Sequence, residues 1–87
     1  MLNLRNFKRE GDFMNKEFIG KDAKGNKMYL YHLNTVVYCE HVDNQTGNVL
    51  KTGVTQVDSN IVRLFSCPHV SGAYIYDEIQ RIYGKKL

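Results

Sequence analysis

The two cysteines of this 87-residue chain each stand two positions before a histidine, in CEH at 39–41 and CPH at 67–69. Thiolate sulfur and imidazole nitrogen are ligands that Zn²⁺ accepts in tetrahedral Cys₂His₂ sites. On a β-strand, residues i and i+2 point to the same face, so each pair would present its two ligands together. The candidate zinc ligands are Cys39, His41, Cys67 and His69.

The same two pairs have a second interpretation, in which both cysteines are reduced and bind no metal. Neither pair has the Cys-x₂-Cys spacing that makes most zinc motifs specific. In the strand arrangement that the sequence predicts, Cys39 and Cys67 lie on opposite faces of two strands with another strand between them, roughly 9 to 10 Å apart. That geometry also argues against a disulfide. The sequence favours a protein without a cofactor, and zinc remains the alternative.

Cys39 and His41 could also act as a thiol nucleophile and its base. As neighbours at i and i+2 they stand side by side, and the sequence offers no third group to orient the imidazole. The glycines fall in hairpin turns and do not open a helix, which argues against a phosphate-binding loop. We therefore expect a protein without enzymatic activity.

Composition and charge point to one small folded domain. The chain is 43% hydrophobic and carries a net charge of +3, with the two signs mixed along its length. This mild basicity allows nucleic acid as a partner without indicating it. No apolar run approaches the roughly 18 to 20 residues that a membrane span needs, and no secretory leader is visible. We expect a cytoplasmic protein that does not bind membranes.

The N-terminal segment differs from the rest of the chain. Residues 1–13 show no clear periodicity, and Met14 begins a stretch typical of a natural start. Purine-rich codons for residues 9–12 would resemble a bacterial ribosome-binding site. We expect residues 1–13 to be a translated leader or a disordered arm, with a short helix as the alternative. Residues 14–87 then form a single α+β domain.

Two β-hairpins are predicted after Lys16. The turn residues DAKGN at 22–26 and DNQTGN at 43–48 separate strand-like segments, and each turn contains a glycine suited to positive φ. In the first hairpin we expect Ile19 to face Tyr29. In the second, charge and packing favour Tyr38 opposite Gly53, with Glu40 paired to Lys51. The face expected to be buried carries Val37, Cys39, His41, Leu50, Thr52 and Val54.

The last third of the chain is predicted to add a strand and a helix. Residues 61–67 are rich in β-formers and favour a further strand, with a short helix from Ser59 as the alternative. Ser71 is a suitable N-cap and Gly84 a suitable stop for a helix between them. The predicted fold is α+β, an antiparallel meander of four to five strands with one C-terminal helix packed on one face. The apolar face of that helix carries Ile75, Ile79, Ile82 and Tyr83.

Binding is the function that these patterns favour. Tyrosine is common at protein interfaces, and the chain has more aromatic side chains than one small core needs. The expected partner is another protein, and a homodimer is allowed. By size alone, the chain is typical of phage or mobile-element inhibitors of a host enzyme, such as a CRISPR nuclease. The alternative is a small nucleic-acid-binding sheet that uses lysines and sheet tyrosines. The candidate partner-binding residues are Tyr74, Glu78, Arg81 and Lys85 on the helix, with Tyr38 and Tyr31 on the sheet.

Overall fold

A computed structural model describes residues 16–84 and 86–87 of the chain. Its four strands are β1 (Glu17–Lys21), β2 (Lys27–Leu33), β3 (Val36–Val42) and β4 (Val49–Gln56), and its two helices are α1 (Ser59–Leu64) and α2 (Gly72–Tyr83). The strands form one antiparallel sheet in the order β1-β2-β3-β4. The predicted α+β meander with a C-terminal helix is confirmed, with four strands. The expected leader, residues 1–13, lies outside the described residues.

The segment after β4 is a helix and not the fifth strand that its composition favours. Asp58 caps this helix, because its side chain accepts hydrogen bonds from the backbone amides of Asn60, at 3.0 Å, and Ile61, at 3.1 Å. Ile61 is buried in the core below. The strand prediction for residues 61–67 is therefore wrong, and the alternative of a helix from Ser59 is correct. A local cap outweighs β-propensity here.

The first hairpin has the expected turn but a different strand register. The amide of Asp22 donates to the carbonyl of Asn26 over 2.9 Å, as the turn prediction requires. A β-bulge then shifts the pairing between Phe18 and Gly20, so Phe18 and not Ile19 faces Tyr29. The Phe18 and Tyr29 rings lie 5.6 Å apart. The bulge occurs beside Gly20, whose φ of +119° is rarely open to other residues.

A second bulge changes which side of β4 is buried. The amide of Asp43 donates to the carbonyl of Asn48 over 2.8 Å, and this turn is as predicted. The register then shifts next to His41, which places Cys39 opposite Gly53 and Tyr38 opposite Val54. A shift of one residue exchanges the two faces of a strand. The expected pairing of Tyr38 with Gly53 is wrong. Three residues expected on the buried face of β4 are exposed, namely Leu50, Thr52 and Val54.

Both helices pack on the same face of the sheet. Ser71 caps α2 by accepting from the amide of Tyr74 over 3.2 Å, and Gly84 ends it with a φ of +64°. These two helix boundaries were predicted correctly. No described helix is long and apolar enough to cross a membrane. The core between sheet and helices contains Met28, Leu30, Val37, Cys39, Val57, Ile61, Ile75, Ile79 and Leu87.

Candidate functional site

His41 is a buried residue with an acceptor at each ring nitrogen. Its Nδ1 lies 2.9 Å from Oδ2 of Asp22, and its Nε2 lies 2.8 Å from the backbone oxygen of Leu87. Both oxygens can only accept, so the two bonds form together only when the ring is an imidazolium that donates from both nitrogens. The bond from His41, with those from the amides of Lys24 and Asn26, lowers the pKa of Asp22 to about 2.

Asp22 orients the imidazole of His41 through this hydrogen bond. The expectation that no side chain orients His41 is therefore wrong. The arrangement nevertheless leaves Cys39 poorly placed as a nucleophile. Its thiol is fully buried, and burial raises its pKa to about 11. The sulfur lies 3.9 Å from Nε2 of His41, a nitrogen already bonded to Leu87. Cys39 therefore stays a protonated thiol in the core, and Asp22 and His41 form a structural link.

The four candidate zinc ligands occupy two different environments. Cys39 and His41 are buried on β3, whereas Cys67 and His69 are exposed in the loop between α1 and α2. The thiol of Cys67 donates to the backbone oxygen of Arg63 over 3.5 Å. Within residues 16–84 and 86–87, no group of three or more His, Cys, Asp or Glu side chains is arranged to hold a metal ion. The structure thus does not bring the two pairs together.

A cleft of about 660 Å³ lies between the β1–β2 turn, the start of β4 and the C-terminal half of α2. Its sides carry polar groups that include Tyr76 and Gln80 of α2 and the buried His41 of β3. Of the described residues that line it, Asp22 is the only acidic one. The cleft thus combines one paired carboxylate with a basic rim. The rim lysines are Lys21, Lys24, Lys51 and Lys86.

The opposite face of the sheet is a second candidate surface, and we call it the open face. Strand alternation and the observed register place its side chains away from both helices. Three of them are strongly exposed: Phe18 at 55%, Leu33 at 53% and Val54 at 48%. The apolar residues of the open face are Phe18, Tyr29, Tyr31, Leu33, Val36, Tyr38, Val42, Val49 and Val54.

At the centre of the open face, two tyrosines stack on each other. The rings of Tyr31 and Tyr38 lie 5.0 Å apart with an interplanar angle of 12°, and the Lys16 ammonium sits 5.1 Å from the centre of the Tyr31 ring. The Tyr31 hydroxyl donates to Oε2 of Glu40 over 3.0 Å. Burial and Glu40 raise the pKa of Tyr31 to about 12. These contacts hold the Tyr31 ring in place beneath that of Tyr38. Tyr38 itself is only half-buried.

The predicted partner-binding residues fall on opposite sides of the domain. Tyr74 and Arg81 are exposed on α2, and Arg81 forms an ion pair with Glu78 one turn away. Tyr31 and Tyr38 lie on the open face, beyond the core. One compact interface cannot include both groups. Lys85, the last member of the predicted helix stripe, lies outside the described residues.

The exposed apolar positions of the open face were largely missed from sequence. Val54 was expected in the core, and the bulge that turns it outward has no clear signal in the sequence. No partner-binding role was assigned to Phe18 or to Leu33. The alternation of residues 29, 31 and 33 was the available signal, because Tyr29 and Leu33 must share a face with Tyr31.

No protein-family model matches this sequence, and comparisons with curated proteins and with solved structures also give no match. The cleft and the open face are therefore the observations from which a function can be inferred.

Proposed function

We propose that this protein is a non-enzymatic binding module that recognises another protein through the open face of its sheet. The observation that carries the proposal is the exposure of Phe18, Leu33 and Val54 on a sheet whose other face already forms the core. Exposed apolar patches on small proteins commonly mark interaction sites. Tyr38 adds an aromatic side chain with a hydroxyl group, a combination favoured at interfaces.

The charges at the centre of the open face favour a protein over a nucleic acid. Lys16 lies 3.1 Å from Oε1 of Glu40, so the two charges at the centre neutralise each other. Single-stranded nucleic acids need a cationic track and exposed aromatic rings on which bases can stack. One side of the Tyr31 ring already faces Tyr38, and the Lys16 ammonium also lies close to that ring. The centre of the open face therefore offers apolar contact with little net attraction for phosphate.

The overall charge favours a different protein over a second copy of the chain. The protein carries a net charge of +3. Two copies would repel each other weakly, whereas a partner with acidic residues around an apolar patch would be attracted. The partner that we propose is therefore a different protein with acidic residues around an apolar patch. If it is an enzyme whose active site becomes covered, the protein acts as an inhibitor, as expected for a phage or mobile-element product.

The proposal includes a cytoplasmic location. Its support is that Cys39 and Cys67 are both free thiols, which a reducing compartment preserves.

The test is capture of partners from a lysate of the cells in which the protein occurs, using the wild type and two matched variants. Val54→Asp places a charge on the open face, and Ile82→Asp places the same charge on α2 at nearly equal exposure, 48% against 47%. We expect the wild type and Ile82→Asp to retain the same protein and Val54→Asp to lose it. Loss of the captured protein with Ile82→Asp alone would assign the interface to the helix.

Sedimentation of the purified wild type tests whether the partner is a second copy of the chain. If the wild type is a dimer and Val54→Asp is a monomer, the open face binds another copy, and the proposal of a different protein as partner is contradicted.

A further inference from the structure

Four lysines converge on the cleft from three separate parts of the chain. Lys21 and Lys24 come from the β1–β2 hairpin, Lys51 from β4, and Lys86 from the residues after α2. None of the four forms an ion pair with a described carboxylate. Like charges that line one cleft repel one another, and an anion placed between them relieves that repulsion.

The nearby carboxylates are already engaged elsewhere. Asp22, the one acidic residue on the described lining, accepts from His41 and from the amides of Lys24 and Asn26. Glu40 accepts from Lys16 and Tyr31 on the open face. Asp22 thus already accepts these three hydrogen bonds from its own surroundings, and no ion pair within the described residues joins it to a lysine of the rim.

The size and lining of the cleft define the kind of anion that it fits. Its volume of about 660 Å³ lies within the range of ordinary small-molecule sites. Below the lysines, Met28, Leu50 and Tyr76 supply apolar and aromatic surface, and the amides of Asn26 and Gln80 can donate or accept hydrogen bonds. A ligand that matches all of these groups has both a multiply charged anionic end and a flat apolar body.

We propose that this cleft binds a small phosphate-bearing ligand of nucleotide size, with its phosphates among the four lysines and its ring against Leu50 and Tyr76. This site lies on the helix side of the sheet, away from the open face, and is independent of the protein-binding function. Ammonium groups suit phosphate because several of them can surround one anion as point charges.

The test is titration calorimetry of the full chain with ATP, with inorganic triphosphate and with a short oligothymidine. Lys24→Gln/Lys51→Gln removes two charges from the rim, while Lys27→Gln/Arg63→Gln removes two charges from positions outside the cleft. We expect ATP to bind more tightly than triphosphate. We also expect the rim variant to bind ATP about tenfold or more weakly, because it loses hydrogen bonds between charged groups. The control variant should bind ATP about as tightly as the wild type.

Amide chemical shifts provide an independent readout in the wild-type protein. Addition of ATP should move the signals of Lys24, Asn26 and Lys51 and leave that of Leu33, on the open face, unchanged. The proposal is overturned if neither ATP nor triphosphate binds at millimolar concentration, or if triphosphate binds as tightly as ATP. Equal loss in the two double variants would also overturn it, because the attraction would then be non-specific. Binding of the oligonucleotide without binding of ATP would overturn the small-ligand assignment.

Discussion

His41 donates from Nδ1 to the Oδ2 atom of Asp22 over 2.9 Å, although the two residues lie 19 positions apart in the chain. This bond joins the first hairpin turn to the third strand. Since the other ring nitrogen faces the backbone oxygen of Leu87, the same side chain also fixes the residues that follow α2. One wall of the cleft therefore depends on a single buried imidazole.

Replacement of Asp22 by asparagine should remove pH-dependent stability. The new amide side chain would keep an oxygen for the backbone amides of the turn but lose the charge that faces His41. The pKa of Asp22 is lowered from 3.8 to about 2, chiefly by His41. The charged carboxylate thus contributes stability that is complete above its ordinary pKa and is lost as the pH falls towards 2. At about pH 5 we expect the wild type to have a higher melting temperature than Asp22→Asn, and we expect this difference to disappear near pH 2.

Asp43→Asn is the matched control for this experiment. Asp43 also accepts a backbone amide within its own hairpin turn, from Gln45 over 2.9 Å, and its pKa is lowered by such bonds. It has no histidine partner among the described residues. The pH-dependent loss of stability should therefore be smaller for Asp43→Asn than for Asp22→Asn. Equal losses in the two variants would show that turn geometry, and not His41, stabilises the Asp22 carboxylate.

Replacement of Gly53 by alanine should destabilise the fold through a clash with Leu87. A Cβ atom at position 53 would lie 2.9 Å from the backbone oxygen of Leu87 and 3.0 Å from its Cα. Overpacking of this kind costs about 1 to 3 kcal/mol. Urea denaturation measures the loss. In a chain lacking residues 86–87 the substitution should cost much less, and an unchanged cost there would contradict this assignment.

The two thiols should differ in reactivity. Cys39 is fully buried with a pKa raised to about 11, whereas Cys67 is exposed. Because the thiolate is the reactive form, a thiol-specific disulfide reagent should modify Cys67 quickly and Cys39 only after unfolding. Mass spectrometry of peptides from the native protein identifies the labelled residue. Rapid native labelling of Cys39 would contradict its placement in the core.

Removal of metal ions should leave the stability unchanged. Cys39 and His41 are in the core and Cys67 and His69 are in an exposed loop, so the described structure does not arrange the four side chains around one ion. Thermal melting with and without a strong chelator provides the measurement. We expect the same cooperative transition in both. A lost transition after chelation would support the zinc-stabilised alternative.

Local signals predicted the element boundaries well because the groups that determine them are close in sequence. Ser71 begins α2 and Gly84 ends it, and each does so through capping interactions within a few residues. The turns at Asp22 and Asp43 were recognised from residue types that stabilise turns by their own side chains. For α1, the cap at Asp58 was an equally local signal, but the β-branched residues that follow it favoured the wrong prediction.

The two bulges could not be predicted, and they determine the functional surfaces. A single extra residue near Leu50 moves Val54 from the expected core to the open face. The convergence of lysines at the cleft also depends on tertiary contacts. Only the packing of the hairpins and of residues 86–87 brings Lys24 and Lys51 to one rim.

The most direct test of the protein-binding function is the affinity of the captured partner for Phe18→Ala and Tyr74→Ala, measured by calorimetry at low and high salt. The two aromatic side chains have similar exposure, 55% and 51%, but lie on the open face and on α2 respectively. We predict that Phe18→Ala costs about 2 kcal/mol or more, as for an interface hot spot, with a shallow dependence on salt, and that Tyr74→Ala has little effect. A loss with Tyr74→Ala but not with Phe18→Ala would contradict binding through the open face.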